Sequence, residues 1–139
     1  MTLSKFFIFL YSILSLQLFA LLLGLLSLLL LFLSLILSLY ITFSVGRKFD
    51  KLFRDINPIG FPIDFGWYSA TLRAQNYAMY IVSKNKMSRK RPYKDWYGDF
   101  DFYGSVSPLQ RKACVLYFTS VILMIIFGVV ALSIMKLTS

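Results

Sequence analysis

The acidic residues of this chain are the first candidates for chemistry. All six are aspartates, and three of them, Asp95, Asp99 and Asp101, lie close together in the sequence. On a helical turn followed by an extended strand, such carboxylates would suit a Mg²⁺ or Ca²⁺ site acting on a phosphorylated lipid. Gly98 and Gly104 mark turns around them, and aspartate is common in turns because its carboxylate accepts bonds from nearby amides. We therefore favour turn residues over a metal site.

Most other catalytic groups are missing. The chain has no His, no Glu and a single cysteine, Cys114. Acid–base catalysis centred on His, a Cys/His zinc site and an intramolecular disulfide are therefore excluded. We predict a non-enzymatic protein with no catalytic residue, no metal site and no cofactor. Cys114 borders an apolar block, where we expect a small hydrophobic side chain, with palmitoylation as the alternative.

Basic residues are concentrated in the middle of the chain. Between Gly46 and Ala113 lie 13 of the 15 Lys and Arg residues and all six aspartates, so this segment carries 13 − 6 = +7. Its densest run is Lys84-Asn-Lys-Met-Ser-Arg-Lys-Arg91-Pro92. Because apolar blocks flank the segment, anionic phospholipid is the favoured ligand, at about 1 kcal/mol per basic residue. An acidic protein surface is the alternative, and nucleic acid is not a predicted partner. The residues predicted to contact headgroups or an acidic partner are Arg47, Lys48, Lys51, Arg54, Arg89, Lys90, Arg91, Arg111 and Lys112.

The same segment is rich in aromatic residues. A helix is predicted around residues 67–82, and its face is formed by Trp67, Ala70, Ala74, Tyr77 and Ile81, with spacings of 3 and 4. Arg73, Asn76 and Tyr80 are predicted to lie off this face. Such a helix suits the headgroup region of a membrane, and packing on a protein domain is the alternative. The predicted interfacial aromatic residues are Trp67, Tyr77, Trp96 and Tyr97.

The composition indicates an integral membrane protein. Hydrophobic residues make up 58% of the chain, charged residues only 15%, and the mean hydropathy is +0.71. The second apolar block, from Ala113 to Met135, would reach about 34 Å as a helix, which matches a hydrocarbon core of about 30 Å. Neither apolar block contains an ionisable residue of the kind that transporters and pumps normally need.

The first apolar block is too long for one simple span. Phe6 to Gly46 is 41 residues without a charge, or about 60 Å as one helix. We favour one long helix over a hairpin that turns near Gly24 and gives three spans. The residues around Gly24 include no Pro, Asn or Asp to open the backbone, and an exposed turn in lipid is costly. A signal peptide from Met1 to about Ala20 is a third, disfavoured alternative.

Small and hydroxyl residues recur along one side of both apolar blocks. In the first block the spacing alternates between 3 and 4, which places these residues on one face. Such residues let helix backbones approach in a membrane, so we predict packing of the two helices on each other or on another subunit. The alternative is serine bonded back to its own helix. The predicted packing face consists of Gly24, Ser27, Ser34, Ser38, Ser120, Gly128 and Ala131.

These elements predict an all-α integral membrane protein with two transmembrane helices around a basic, aromatic segment that contains short amphipathic helices. The predicted divisions are residues 1–46, 47–112 and 113–136. Basic clusters adjoin both spans at their central ends, so the positive-inside rule places the central segment in the cytoplasm.

Three short sequence segments accompany this order of an apolar block, a basic segment and a second apolar block. They are Arg54-Asp-Ile-Asn57-Pro58 after the first block, Ala74-Gln75-x-Tyr77 on the middle helix, and Thr119-Ser120 at the start of the last. With them the chain resembles the universal stress protein B family of small bacterial inner-membrane proteins. The resemblance implies a bacterial inner membrane and a stress-linked role, and it supplies no catalytic residue. The long apolar start and the segment from Asp95 to Gly104 depart from it.

Two functions remain open. The leading hypothesis is an accessory or assembly subunit that stabilises a larger membrane complex, with other membrane subunits or a second copy as partners. The alternative is a stress-related membrane-surface protein that binds anionic lipid through the basic segment.

Overall fold

The computed structural model describes residues 2–53 and 66–139, which form helices and turns with no strand. The helices are α1 (Leu3–Ile41), a π-helical turn (Thr42–Gly46), α2 (Arg47–Leu52), α3 (Gly66–Val82), α4 (Tyr93–Tyr97) and α5 (Pro108–Thr138). The chain divides into two units. The apolar unit comprises residues 2–34 and 119–139, and the aromatic unit comprises residues 35–53 and 66–118.

The first apolar block is a single helix, as we favoured. Helical structure runs from Leu3 to Leu52 without a break, so the alternative hairpin at Gly24 is wrong. The sequence around Gly24 is mostly leucine, a strong helix former, and offers nothing that would open the backbone. This helix and α5 are both long and apolar enough to cross a membrane.

Helix α5 begins before residue 113, where the second membrane span is predicted to start, and the boundary of that span stays a prediction. The helix begins at Pro108 because Ser107 and Gln110 form a capping box. The Ser107 hydroxyl accepts a bond from the Gln110 amide at 3.2 Å, and the Gln110 side chain accepts one from the Ser107 amide at 3.0 Å. Proline is favoured at the first helical position, where no amide hydrogen is needed. The capping box therefore places Arg111 and Lys112 inside the helix rather than before it.

The π-helical turn carries the first helix into the aromatic unit. Ile41, Val45 and Phe49 lie on one side of this stretch and are buried in the aromatic core. Gly46 faces α3 so closely that an added Cβ would lie 3.0 Å from the Cβ of Ala74. Glycine here therefore allows the π-helical turn and α3 to pack together.

Helix α3 is confirmed, but its buried face differs from the prediction. Ala74, Tyr77 and Ile81 are buried, as expected of the predicted face, whereas Trp67 at its start is 63% exposed. Tyr80, predicted to lie off the face, is only 1% exposed. Its ring packs on those of Tyr93, Tyr97 and Phe102, which close over a second side of α3.

The core of the aromatic unit is centred on Phe102, which is fully buried. Its ring lies 5.0 Å from Phe49 and 4.9 Å from Phe100, both in edge-on arrangements. Edge-on pairs of this kind add to the free energy gained by burying their area. The other rings around Phe102 belong to Phe53, Tyr77, Tyr80 and Tyr97.

Candidate functional site

In the apolar unit, α1 and α5 contact each other through residues of the predicted packing face. The Ser27 hydroxyl donates a bond to the backbone carbonyl of Met124 at 2.8 Å. An added Cβ at Gly128 would lie 3.2 Å from that hydroxyl, so the two helices approach closely at this point. Gln17 donates a longer bond to the carbonyl of Thr138 at 3.4 Å. Small residues and serine bonds of this kind are typical of helix contacts in membranes.

The other residues of the predicted face lie in different surroundings. Ser34, Ser120 and Ala131 are buried. The Ser34 hydroxyl donates to the Leu31 carbonyl of its own helix, as the alternative interpretation predicted. Ser38 belongs to the aromatic unit, where it is half-buried.

A groove of about 510 Å³ lies along the apolar unit beside these contacts. Gly24 lines it, and a Cβ added to Gly24 would meet no atom of the described residues within 4 Å. No contact within residues 2–53 and 66–139 therefore requires glycine at this position. The groove is lined by Ala20, Leu21, Gly24, Leu25, Ser27, Leu28, Gly128, Ala131, Leu132 and Met135.

In the aromatic unit, Asp50 on α2 and Arg73 on α3 form a two-pronged ion pair. The guanidinium Nε and Nη2 atoms lie 2.9 Å and 3.1 Å from the two carboxylate oxygens, and the Tyr77 hydroxyl donates to the same carboxylate at 3.0 Å. The hydrogen bond to Asp50 raises the pKa of Arg73, and burial raises the pKa of Tyr77. Sequence analysis missed this pair, because 23 residues separate its members and no local pattern links them.

Asn85 and Asp101 form a second polar cluster. The Asn85 side-chain amide donates to the Asp101 carboxylate at 2.6 Å and accepts a bond from the Tyr103 backbone amide at 3.0 Å. The Gly104 amide also donates to Asp101, at 2.8 Å. The Gly104 bond and then the Asn85 bond lower the pKa of Asp101, since both favour the charged carboxylate. Asp101 is therefore a turn residue, as favoured, and the alternative extended strand is not formed.

The other aspartates of this stretch lie at the surface. Asp99 is exposed, and a carboxylate oxygen of Asp95 lies 3.8 Å from the guanidinium of Arg91. Within residues 2–53 and 66–139, no three His, Cys, Asp or Glu side chains are grouped so that they could hold a metal ion.

The predicted basic contacts separate into exposed and internal residues. For Arg111, which is half-buried, contact with a headgroup or an acidic partner stays a prediction. Arg111 has its guanidinium 4.1 Å above the ring of Tyr103 and donates from Nε to the Tyr103 carbonyl at 2.9 Å. It therefore joins α5 to the 101–107 turn. Lys48 is exposed but donates to the carbonyl of Ser105. Arg54 lies outside the described residues. The remaining predicted contacts are all exposed, namely Arg47, Lys51, Arg89, Lys90, Arg91 and Lys112.

Two of the predicted interfacial aromatic residues are core residues instead. Tyr77 and Tyr97 are 2% and 7% exposed, because both rings pack against Phe102. Burial raises the pKa of Tyr97 to about 12. Trp67 is exposed and Trp96 is half-buried, so an interfacial role for these two stays a prediction.

Comparison with protein-family models, with curated proteins and with solved structures finds no match to this chain. Of the residues that carry the resemblance to the universal stress protein B family, the stretch 54–58 lies outside the described residues. Ala74, Gln75 and Tyr77 lie on α3 as expected, whereas Thr119 and Ser120 lie in the middle of α5 rather than at its start. The family resemblance stays a prediction.

Proposed function

We propose that this chain is a small, non-enzymatic membrane protein that serves as an accessory or assembly subunit of a larger membrane complex. In this proposal α1 and α5 both cross the bilayer, and the groove at Gly24 receives a membrane-spanning helix of a partner subunit. The observation that carries the proposal is a glycine that lines an open apolar groove and has no packing role within the described residues.

Glycine in the middle of a helix has a cost. It weakens helix formation by about 1 kcal/mol relative to alanine, yet Gly24 lies well inside the 39-residue helix α1. In lipid there is no hydrophobic driving force between helices, because lipid tails are as apolar as the side chains. Helices therefore associate mainly by close packing over small residues. The open space beside Gly24 therefore suits the close approach of the backbone of a second helix.

The chemistry of the groove favours an apolar helix over a polar ligand. Its lining is made of aliphatic and small residues, and its hydroxyl group, that of Ser27, already donates to Met124 within the unit. A second copy of this chain would offer the same face, so both a foreign subunit and a homodimer fit the proposal.

The proposed orientation places the aromatic unit in the cytoplasm. Exposed basic residues follow the first helix at Arg47 and Lys51, and Lys112 lies in the opening turns of α5. The positive-inside rule supports cytoplasmic placement of such clusters. The resemblance to the universal stress protein B family supports a bacterial inner membrane and a link to stress.

The test is mild solubilisation of the tagged full-length chain from its native membrane, followed by native mass and subunit analysis. We expect an assembly of fixed stoichiometry that the Gly24→Leu variant loses. Ser15→Leu is the matched control, since it adds a similar side chain at an exposed position of the same helix. A monomer that copurifies with no other protein would overturn the proposal, as would equal loss of the assembly in both variants.

A further inference from the structure

We propose that residues 84–94, the basic loop, dock on anionic lipid headgroups of the membrane that holds this chain. The inference rests on the membrane-spanning part of the proposed function, but it goes beyond the accessory role, because it involves the aromatic unit and does not depend on the groove at Gly24. The occupant is the headgroup layer itself, recognised by its phosphate and carboxylate charges.

The first observation is how the loop sorts its side chains. Of its five neutral residues, Asn85 and Ser88 are buried, Met87 and Tyr93 are half-buried, and Pro92 is exposed. Its basic residues are without exception exposed, namely Lys84, Lys86, Arg89, Lys90, Arg91 and Lys94. The loop therefore presents six positive charges outward from a packed base.

The second observation is that the base of the loop is anchored by hydrogen bonds. Asn85 adopts a left-handed conformation with φ of 66°, and its backbone N–H donates to the backbone carbonyl of Tyr80 at 2.8 Å. The Ser88 hydroxyl donates to the Asn85 carbonyl at 3.1 Å, and the Met87 amide donates to the Ser83 hydroxyl at 3.2 Å. Because these hydrogen bonds already order the base of the loop, lipid binding does not have to pay the entropy of ordering the loop backbone.

The third observation is that few carboxylates of the described residues form ion pairs with the basic side chains of the loop. Asp50 is paired with Arg73, and Asp101 accepts bonds from Asn85 and Gly104. Among the described residues, Asp95 is the one carboxylate that forms an ion pair with a loop residue, at 3.8 Å from Arg91. The positive charge of the loop is therefore largely left for an external anion.

The favoured anion follows from where this unit is attached. It contains the end of α1 and the start of α5, the two helices long enough to span a membrane. Tethering a basic surface to spanning helices keeps headgroups at a high effective concentration, whereas an acidic protein or an RNA must be recruited from solution. A leaflet is also a diffuse negative surface, which suits a row of flexible basic side chains.

The experiment uses energy transfer in proteoliposomes. The full-length chain is reconstituted in phosphatidylcholine with a trace of dansyl-labelled phosphatidylserine or, in parallel, dansyl-labelled phosphatidylcholine. Trp67 and Trp96 are the donors, since they are the two tryptophans of the chain. We expect stronger transfer to the anionic probe, weakened as salt rises from about 0.1 M to about 0.5 M.

Three variants locate the effect. Arg89→Ala, Lys90→Ala and Arg91→Ala combined should reduce the preference for the anionic probe roughly tenfold or more. The matched control, Arg89→Lys with Arg91→Lys, keeps the charge and should retain most of it. Asn85→Ala keeps every charge but removes the side-chain bonds to Asp101 and Tyr103 and leaves alanine in a left-handed conformation. We expect a smaller reduction, with thermal unfolding of the aromatic unit as the check on folding.

Several outcomes would overturn the inference. These are equal transfer to both probes, an unchanged preference in the triple alanine variant, or full displacement of the anionic probe by a soluble RNA or an acidic peptide. Subunit analysis of the triple variant separates this inference from the accessory role. If the assembly stays intact while the lipid preference is lost, the basic loop is confirmed as a lipid site separate from the subunit interface. If the assembly is lost while the lipid preference stays intact, the result counts against the loop as a lipid site.

Discussion

The apolar unit and the aromatic unit bury opposite kinds of residue. The buried positions of the apolar unit are small, namely Ala20, Ser34, Ser120 and Ala131. Large side chains such as Leu22 and Phe32 are more than half exposed there. In the aromatic unit most rings are buried or half-buried, and the basic groups other than Arg73 and Arg111 are exposed. With the membrane placement proposed above, this is the difference expected between a surface that faces lipid and a surface that faces water.

This contrast predicts different sources of stability. In the aromatic unit, removing apolar area from water is the main favourable contribution, so loss of a buried ring should be costly. In lipid, that contribution is absent between helices, which leaves close packing and a few hydrogen bonds of modest strength. Truncations of equal size should therefore have unequal effects in the two units.

The largest effect is expected at the centre of the aromatic unit. Phe102→Ala should destabilise this unit by about 3–5 kcal/mol, because the ring is fully buried and the surrounding rings cannot close the cavity. Chemical denaturation of the full-length protein in mild detergent, followed by tryptophan fluorescence, measures the change. Phe32→Ala, at a ring 56% exposed in the apolar unit, is the matched control and should change little. Equal losses would show that the contrast between the units is wrong.

The next prediction concerns ionisation of Tyr97. Burial raises its pKa to about 12, against about 10 for a free tyrosine. Folding therefore gains stability from the neutral phenol that is complete below about pH 10 and is lost as the pH rises through about 12. The tyrosinate absorbance of the native chain minus that of Tyr97→Phe should show a midpoint near the higher value. A midpoint near that of free tyrosine would mean that this ring is open to water.

A smaller effect is expected from the ion pair between Asp50 and Arg73. A double-mutant cycle with Asp50→Asn and Arg73→Gln should give a coupling free energy of about 1–2 kcal/mol, below that of a fully buried pair. The side chains are 27% and 17% exposed, so water screens them in part. The exposed pair Arg91–Asp95 is the control, with a coupling of at most about 0.5 kcal/mol. Equal couplings for both pairs would contradict the burial of the first.

The features of the fold that could be predicted from the sequence are local ones. The lengths of the apolar blocks and the 3-and-4 spacing on α3 were enough to predict α1, α3 and α5. The capping box at Ser107 and Gln110 is also a local signal and marks the start of α5, whereas the charges of Arg111 and Lys112 predict the edge of the membrane span. Both signals were local, and the one based on backbone hydrogen bonds was the better guide to where α5 begins.

The features that were missed depend on contacts between distant residues. Tyr80 was predicted to lie off the packed face because nothing near it in sequence shows that Tyr93, Tyr97 and Phe102 cover it. An interfacial role for Tyr77 failed for the same reason. Aromatic residues beside basic ones fit a headgroup layer and a small protein core equally well, and long-range packing decides between the two.

The smallest predicted effect tests the apolar unit directly. Ser27→Ala removes the bond to the Met124 carbonyl and should weaken the contact between α1 and α5 by about 0.6 kcal/mol, the average measured for such bonds in membranes. Ser15→Ala is the control, since its hydroxyl bonds to Ser12 of its own helix. Cysteine pairs introduced across the contact, with their rates of disulfide formation compared in both backgrounds, measure the change. A loss of several kcal/mol would mean that this hydroxyl lies in a polar core, and the apolar unit would then resemble the aromatic unit more than its exposed leucines suggest.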